Sequence, residues 1–262
     1  MSVLEAIIIA IVEGLTEFLP ISSTGHMIIA EKMMGTTPDE LTKAYIISIQ
    51  FGAILSVLVL YWKRFFLGPV FYTKLFLAFL PAAALGFLLD RYIDEWLDNV
   101  ALVAIALLAG GVVLVFIDRW LKPNDEKPVT HKRAFLIGWW QCLALIPGVS
   151  RSAATIIGGM ANGLSRTQAA EFSFFLAVPT MMAATGYKLA KGLSVQPELF
   201  TQNNLWMLLL GNVIAFGVAV AAIRLFIGWL NKYGFQPFGW YRIALGVAIL
   251  VMLGLGYDLK MV

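Results

Sequence analysis

The sequence predicts an all-α polytopic membrane protein with an inverted-topology repeat, in which each half is a re-entrant helical hairpin followed by three transmembrane helices. Three observations lead to this prediction: a very apolar composition, long apolar runs, and two proline-broken regions at matching places in the two halves. Of the 262 residues, 60% are hydrophobic and 13% are charged, and the mean hydropathy is +0.82. Soluble domains carry about 25% charged residues, so a soluble fold of this size could not cover so much apolar surface.

The apolar residues come in long runs rather than in alternation, which favours transmembrane helices over a β-barrel. A helix needs about 20 mostly apolar residues to cross a bilayer. Six runs are predicted to do so, although the second is short: 44–62, 75–90, 100–121, 170–188, 204–231 and 239–257.

Two other regions, 3–35 and 133–163, are apolar runs broken by proline and small polar residues. The first breaks at LPISS (19–23) and the second at IPGVSRS (146–152). Proline removes a backbone donor and disfavours helix in the residue before it, while a serine that follows can cap a new helix. Each region is therefore predicted to be a re-entrant hairpin, whose non-helical turn is surrounded by protein or by a water-filled cavity.

The two halves share one order of elements, a broken hairpin and then three spans. A shift of 127 residues places Pro20 on Pro147 and Ser23 on Ser150. A hairpin crosses nothing and three spans cross an odd number of times, so the second half starts on the opposite side of the membrane. The predicted organisation is a single membrane domain with these bounds: 1–262 in total, about 1–121 for the first half and about 133–257 for the second.

Basic residues are distributed unequally between the two sides of this topology. One side receives twelve lysines and arginines and the other six, with Arg242 counted in a loop at 223–242. The richer side is expected to be cytoplasmic, so the first hairpin enters from outside, the second from inside, and their tips meet near the midplane. The net charge of +3 comes without a basic cluster of the kind that binds nucleic acid, so no nucleic-acid partner is expected.

The stretch EGLTEFLPISSTGH (13–26) concentrates polar groups in the first hairpin. Glu13 and Glu17 are four residues apart and share one helix face. Two buried carboxylates repel each other, so we expect either a proton on one of them or a cation between them. Ionisable residues inside a membrane indicate a functional site.

Hydroxyl groups and a histidine follow the proline of this stretch. Ser22, Ser23 and Thr24 stand at the start of a new helix, where they can cap it or, with free backbone N–H groups, bind an anion. A serine there can also attack phosphorus if a base lies near. His26 follows within about one turn, as a general acid, a general base, a nucleophile or a buried core residue.

The counterpart in the second hairpin is PGVSRSAAT (147–155). Arg151 cannot lose its charge, so its burial requires an anion. Gly148 allows close backbone approach, and Ser150 and Ser152 offer hydroxyls, so the segment suits a phosphate group. A structural ion pair between Arg151 and one of the two glutamates is the alternative, and the two roles are compatible.

At these two motifs the chain resembles the bacterial undecaprenyl pyrophosphate phosphatase family, often called BacA or UppP. IQFGAILSVLV (49–59) and EFSFFLAVPT (171–180) also resemble that family, so the likeness covers nearly the whole chain. The resemblance implies hydrolysis of a C55 lipid pyrophosphate to the monophosphate and inorganic phosphate, at an outward-facing site in the bacterial inner membrane. It further implies recycling of the lipid carrier for cell-wall synthesis, bacitracin resistance, and a divalent cation, Mg²⁺ or Ca²⁺, as cofactor.

The functional residues of the family fall on matching positions of this chain. The resemblance implies a catalytic set of Glu13, Glu17, Ser23, His26 and Arg151, and Ser22, Thr24 and Ser150 also match. The predicted phosphate-binding set consists of six residues: Ser22, Thr24, Gly148, Ser150, Arg151 and Ser152. We hypothesise that Ser23 is the nucleophile with His26 as its base, and that Glu13 and Glu17 hold the cation. His26 as nucleophile and a cation-bound water are the alternatives.

Inverted repeats with broken helices are also typical of transporters, so a polyprenyl-phosphate transporter is the alternative function. The serine, histidine and glutamate cluster favours an enzyme, because binding alone needs no nucleophile. The expected partners are the polyprenyl pyrophosphate substrate and membrane lipids. The oligomeric state stays open, with a homodimer as one option.

Overall fold

The structure is a computed structural model that describes residues 1–36, 39–121, 127–195, 201–257 and 259. In this part of the chain all regular secondary structure is helical, with ten α-helices and two short 3₁₀ helices at Trp62–Phe66 and Cys142–Leu145. The α-helices are α1 (Val3–Thr16), α2 (Ser23–Met34), α3 (Glu40–Leu60), α4 (Pro69–Leu97), α5 (Val100–Trp120), α6 (His131–Gln141), α7 (Arg151–Ala161), α8 (Arg166–Val195), α9 (Gln202–Tyr233) and α10 (Gln236–Gly254). Two basic residues of the charge count, Lys122 and Lys260, lie outside the described residues.

Five helices within these described ranges are long and apolar enough to cross a membrane, namely α3, α4, α5, α9 and α10. Large apolar side chains cover their outward faces, and Phe87, Leu88 and Leu225 are 72–75% exposed. Contiguous exposed apolar surface of this kind is what a helix presents to lipid. The prediction of an all-α polytopic membrane protein is therefore confirmed. Helix α8, which contains the predicted span at 170–188, is 30 residues long but is not among these five helices, so its crossing of the membrane stays a prediction.

The helices extend further than the sequence predicted. The predicted span at 75–90 is too short, because α4 continues through most of the predicted loop at 90–99. Arg91 and Glu95, whose side chains approach to 3.8 Å, form a pair four residues apart that supports the additional turns. α5 follows after two residues, and the side chain of Asn99 caps its first turn.

Both proline-broken regions form hairpins of two helices, and their re-entrant course in the membrane stays a prediction. α1 and α2 are separated by residues 17–22, and α7 begins directly after the second break at 146–150. The two helices of each hairpin pack against each other. Each turn is therefore a short non-helical segment enclosed by helices.

Each hairpin also packs on a helix of the other half of the chain. α1 lies against α9, α6 lies against α4, and α3 and α8 pack together, as do α5 and α10. Small residues allow these approaches: a Cβ on Gly14 would lie 2.6 Å from the carbonyl oxygen of Ala215, and one on Gly138 would overlap the carbonyl of Ala78. With this exchange between the halves, the two hairpin turns lie against each other.

The placement of Arg242 in a loop is wrong. α10 begins at Gln236, so Arg242 lies inside this helix, and its side chain is 0% exposed. The physical reason is that the backbone carbonyl groups of the hairpin turns accept its N–H groups, as described below. Arg242 therefore does not contribute to the basic charge of the predicted cytoplasmic side.

Candidate active site

Two serines hold the hairpin turns in an unusual backbone conformation. Ser22 (φ 69°, ψ 102°) precedes α2 and Ser150 (φ 73°, ψ 117°) precedes α7, and no other non-glycine residue in the described ranges has a positive φ. Such conformations cost about 1–3 kcal/mol and cluster at functional sites. The two serines are 128 residues apart, whereas Pro20 and Pro147 are 127 apart, so the predicted pairing of the two halves stays a prediction.

Glu17 is the point at which the two hairpins meet. Its Oε2 accepts a hydrogen bond from the Ser23 hydroxyl at 3.0 Å, and its Oε1 accepts one from Nη2 of Arg151 at 3.0 Å. Ser23 and Arg151 are the first residues of α2 and α7, so one carboxylate contacts the start of both helices. The side chains of Glu17 and Arg151 are only 9% and 12% exposed, so water screens this ion pair much less than a surface pair.

Glu13 lies one helical turn before Glu17 and is 1% exposed. Its Oε1 has no hydrogen-bond partner in the described part of the chain. Two buried carboxyl groups on one helix face repel each other when both are charged, so a proton or a cation is needed between them. The unpartnered buried oxygen is costly and would be stabilised by a cation.

The two carboxylates suit a divalent cation that also binds phosphate. Mg²⁺ is usually held by one or two carboxylates together with substrate phosphates, rather than by a complete cage of protein ligands. No group of three or more His, Cys, Asp or Glu side chains among the described residues is placed to hold a metal ion. A cation held by Glu13 and Glu17 would need further ligands from outside the described side chains, and the metal role of the two glutamates stays a prediction.

Arg151 combines an ion pair with an unused donor. Besides the bond to Glu17, its Nη1 donates to the carbonyl oxygen of Ser173 at 3.1 Å, and its Cζ lies 5.6 Å from the ring centroid of Phe18. Its Nε is buried and has no hydrogen-bond partner among the described residues. The ion pair considered from the sequence is present, and Arg151 also keeps an N–H group that can donate to phosphate. Sequence reasoning missed the anchoring role of Ser173.

The N-terminus of α2 is open, unlike that of α7. The Ser150 hydroxyl accepts a hydrogen bond from the backbone N–H of Ala153 at 3.3 Å, whereas the side chain of Ser22 makes no such bond. The first N–H groups of a helix have no partner within the helix, so those of α2 can bind an anion. Thr24 lies in this first turn and is half-buried.

His26 is held at both ring nitrogens. Its Nδ1 lies 2.7 Å from the carbonyl oxygen of Ser22, and its Nε2 lies 2.8 Å from the hydroxyl of Tyr241, a residue that sequence reasoning missed. The Ser23 hydroxyl is bonded to Glu17 instead of His26. In this arrangement Glu17, rather than His26, is placed to take the proton of Ser23, and the predicted role of His26 as the base stays a prediction.

Ser152 and Gly148 connect the turns with their surroundings. The Ser152 hydroxyl is 0% exposed, donates to the carbonyl oxygen of Leu19 at 2.7 Å, and lies 3.0 Å from the hydroxyl of Ser150. Gly148 has φ +91°, and a Cβ there would overlap the carbonyl of Val103 in α5. Phosphate binding by these residues stays a prediction, because the contacts described here join the two turns to each other and to α5.

Arg242 joins both turns to α5 through one guanidinium group. Its N–H groups donate, at 2.9–3.4 Å, to the carbonyl oxygens of Pro20, Gly148, Val149, Ala106 and Leu107. Gly110 in α5 provides the space, because a Cβ there would overlap the guanidinium. The available signal was an arginine inside an apolar segment, which indicates a specific internal partner.

The fold and this centre define a class of protein. It is a polytopic helical membrane protein with a buried cluster of carboxylates, hydroxyls, a histidine and an arginine where two broken hairpins meet. The profile of the family described as "Bacitracin resistance protein BacA" matches residues 6–248, and the chain belongs to this family.

Three relatives named undecaprenyl-diphosphatase are similar to this chain over nearly its whole length. The protein of Bdellovibrio bacteriovorus is 52% identical, with 100% of both chains covered. That of Flavobacterium psychrophilum is 51% identical, with 96% of both chains covered, and that of Porphyromonas gingivalis is 49% identical, with 99% of both chains covered.

Proposed function

We propose that the protein hydrolyses undecaprenyl pyrophosphate to undecaprenyl phosphate and inorganic phosphate. The names of relatives about half identical to it support this substrate. The structural observation that carries the proposal is the double contact of Glu17 with the Ser23 hydroxyl and the Arg151 guanidinium. It supports the proposal because a hydroxyl that could attack phosphorus, a carboxylate that could take its proton and a guanidinium that could bind phosphate lie in contact.

Binding of the pyrophosphate depends on positive charge at this place. Arg151, through its unpartnered Nε, and the open N-terminus of α2 would donate to the phosphate oxygens. A divalent cation, Mg²⁺ or Ca²⁺, held by Glu13 and Glu17 would neutralise further negative charge on the phosphates. Phosphoryl transfer depends mainly on such positioning and charge stabilisation.

In the first chemical step, Ser23 Oγ attacks the terminal phosphorus. The Oγ–P bond forms, the bond from phosphorus to the bridging oxygen breaks, and undecaprenyl phosphate leaves with the electron pair. The hydroxyl proton passes to Glu17, whose Oε2 is 3.0 Å away. Water then attacks the phosphorus of phosphoserine and gives one proton to Nε2 of His26, and the P–Oγ bond breaks. The serine oxygen takes the proton held by Glu17, and inorganic phosphate leaves with the proton from His26.

Trapping of a phosphoenzyme distinguishes this route from the two alternatives. The purified protein is quenched during turnover of a substrate labelled in the terminal phosphate, and the modified residue is mapped by mass spectrometry. Phosphate on Ser23 is expected. Phosphate on His26 would make the histidine the nucleophile, and turnover without any phosphoenzyme would support direct attack by water.

The second candidate function is transport of a polyprenyl phosphate. The reciprocal packing of each hairpin on the opposite half favours it, because transporters use such exchanged repeats around a central site. Phosphate release from undecaprenyl pyrophosphate in detergent, where no sidedness exists, separates the two. We expect release that is lost in Glu17→Gln, and absence of release with every divalent cation would favour transport.

We further infer that the two halves form an inverted repeat with re-entrant hairpins and that the site faces the outer side of the inner membrane. The matched conformations of Ser22 and Ser150 support the repeat. In a Cys142→Ser background, Asp98→Cys is expected to react with a membrane-impermeant maleimide from outside, and Lys127→Cys only after the membrane is opened. The reverse pattern would overturn the orientation.

In the cell, this activity would recycle the lipid carrier for cell-wall synthesis and confer bacitracin resistance. Overproduction of the wild-type chain should raise the bacitracin concentration that stops growth, and overproduction of Glu17→Gln should not. Equal resistance from both would separate the resistance from hydrolysis. The proposed partners are the lipid substrate and membrane lipids, and crosslinking in the membrane would test a homodimer.

A further inference from the structure

The Nε2 atom of His26 is covered by Tyr241 of α10. The hydroxyl oxygen of Tyr241 lies 2.8 Å from this nitrogen, and the two rings are nearly parallel, at 13° with centroids 5.5 Å apart. His26 and Tyr241 are 215 residues apart in the sequence. The contact therefore depends on how α10 packs beside the first hairpin.

The chemistry of the two partners determines the tautomer of His26. The carbonyl oxygen of Ser22 can only accept, so Nδ1 carries the hydrogen of the neutral ring. Nε2 then has a lone pair and accepts a hydrogen bond from the Tyr241 hydroxyl. The nitrogen that could take a proton or attack phosphorus is thus Nε2, and Tyr241 occupies it.

The residue next to Tyr241 explains why this contact is well defined. Arg242 is completely buried and bonds to carbonyl oxygens of both hairpin turns, which fixes α10 relative to Ser22 and His26. Tyr241 itself is 47% exposed. Its ring is therefore less enclosed than the side chain of Arg242.

We propose that Tyr241 is a positioning residue for His26. Its hydroxyl holds the imidazole in the Nδ1–H tautomer, orients Nε2, and covers that nitrogen until the phosphate groups enter the site. This inference rests on the proposed phosphatase function for its kinetic consequence, but the tautomer and the contact are properties of the protein alone. The test therefore has a spectroscopic and a kinetic part.

Nitrogen-15 NMR of the imidazole rings tests the contact. The chain has two histidines, His26 and His131, so a His131→Gln variant assigns the signals. In the full-length protein in detergent, we expect the neutral His26 ring to be protonated at Nδ1, with Nε2 shifted by an accepted hydrogen bond. In Tyr241→Phe, we expect the Nε2 signal to move to the position of an unbonded nitrogen while the His131 signals stay unchanged.

Phosphate release tests the consequence for the reaction. General acid–base catalysis contributes about 10²–10⁴-fold, and a less well oriented His26 should lose part of this, so we expect Tyr241→Phe to lower kcat about tenfold with KM within about twofold of the wild type. Tyr187→Phe is the matched control, because Tyr187 is also 47% exposed and contacts Lys191 instead of the site. Tyr241→Trp, which returns an N–H donor on an aromatic ring, is expected to recover part of the rate.

The outcomes separate this inference from the proposed function. The role of Tyr241 would be overturned if His26 of the wild type carries its hydrogen on Nε2. It would also be overturned if Tyr241→Phe changes neither the NMR signals nor kcat. Both results hold whether or not the protein is a phosphatase. If the expected NMR shifts are seen but the protein releases no phosphate, the contact between Tyr241 and His26 is supported and the proposed phosphatase function is refuted. As a check that the fold is intact, the thermal unfolding temperature of Tyr241→Phe should equal that of the wild type.

Discussion

Glu17 and Arg151 are 134 residues apart in the sequence and are joined by a 3.0 Å ion pair between the two hairpins. Glu17 follows the last turn of α1 and Arg151 is the first residue of α7, so this pair connects the two proline-broken regions directly. The same carboxylate holds the Ser23 hydroxyl. An entering phosphate would compete with Glu17 for Arg151, which would free the carboxylate to take the serine proton.

The Glu17→Gln substitution tests this coupling. The amide still accepts from Arg151, but it carries no charge and cannot take the proton of Ser23, so kcat for phosphate release should fall by about 10²–10⁴. Glu40→Gln is the control, because Glu40 is 55% exposed and only pairs with Lys43 on the surface. Activity of the Glu17 variant within tenfold of the wild type would contradict the role of this carboxylate as the base.

The Glu13→Gln substitution tests the cation site. It removes one of the two negative charges that would hold the cation, and affinity depends on that charge count. After treatment with a chelator, the Mg²⁺ or Ca²⁺ concentration that restores half of the maximal phosphate release should rise about tenfold or more. An unchanged cation dependence in this variant would remove Glu13 from the cation site.

Much of this site could be predicted because its signals are local. Pro20 and Pro147 interrupt apolar runs, and Glu13, Glu17 and Arg151 are charges in apolar segments, where an ionisable residue indicates a functional site or a specific internal partner. The polar and charged residues of both motifs lie at the two hairpin turns, as the motifs predict. The pairing of Ser23 with Glu17 rather than His26 depends on the backbone of the turn, which no local pattern specifies.

The residues that were missed act over long distances in the sequence. Tyr241 and Arg242 sit at the start of an apolar helix, where an arginine is equally typical of the membrane boundary. Their roles follow from the packing of α10 on α5 and beside the hairpin turns. The extension of α4 beyond residue 90 was missed for a different reason. Its charged residues favour a helix, but a hydropathy criterion does not measure helical propensity.

Arg242→Met tests the structural contribution of the buried arginine. Methionine fills a similar volume but leaves the three carbonyl oxygens of the hairpin turns without this donor, and each such loss costs about 1–3 kcal/mol when no other donor replaces it. The other two carbonyl groups lie inside α5 and keep their helical hydrogen bonds. The free energy of unfolding in detergent should fall by at least about 3 kcal/mol.

Arg224→Met is the control for this variant, because Arg224 is an exposed arginine of the neighbouring helix α9. Arg242→Lys should be intermediate, since one ammonium group cannot reach carbonyls on three elements. Equal stability of Arg242→Met and the wild type would show that the five hydrogen bonds do not hold the turns.

The backbone strain at Ser22 leads to a prediction with opposite signs for two substitutions. Glycine tolerates the positive φ of 69°, and the Ser22 side chain makes no capping bond that would be lost. Ser22→Gly should therefore raise the free energy of unfolding by about 1 kcal/mol, and Ser22→Val should lower it by more than that, because a β-branched side chain is disfavoured there.

The same change at the second turn should have a smaller effect. Ser150→Gly should raise the free energy of unfolding by less than Ser22→Gly, because it also removes the cap on Ala153 and the contact with Ser152. Unfolding of all three variants in one detergent measures these differences, and a loss of stability in Ser22→Gly would show that the turn is not strained at this residue.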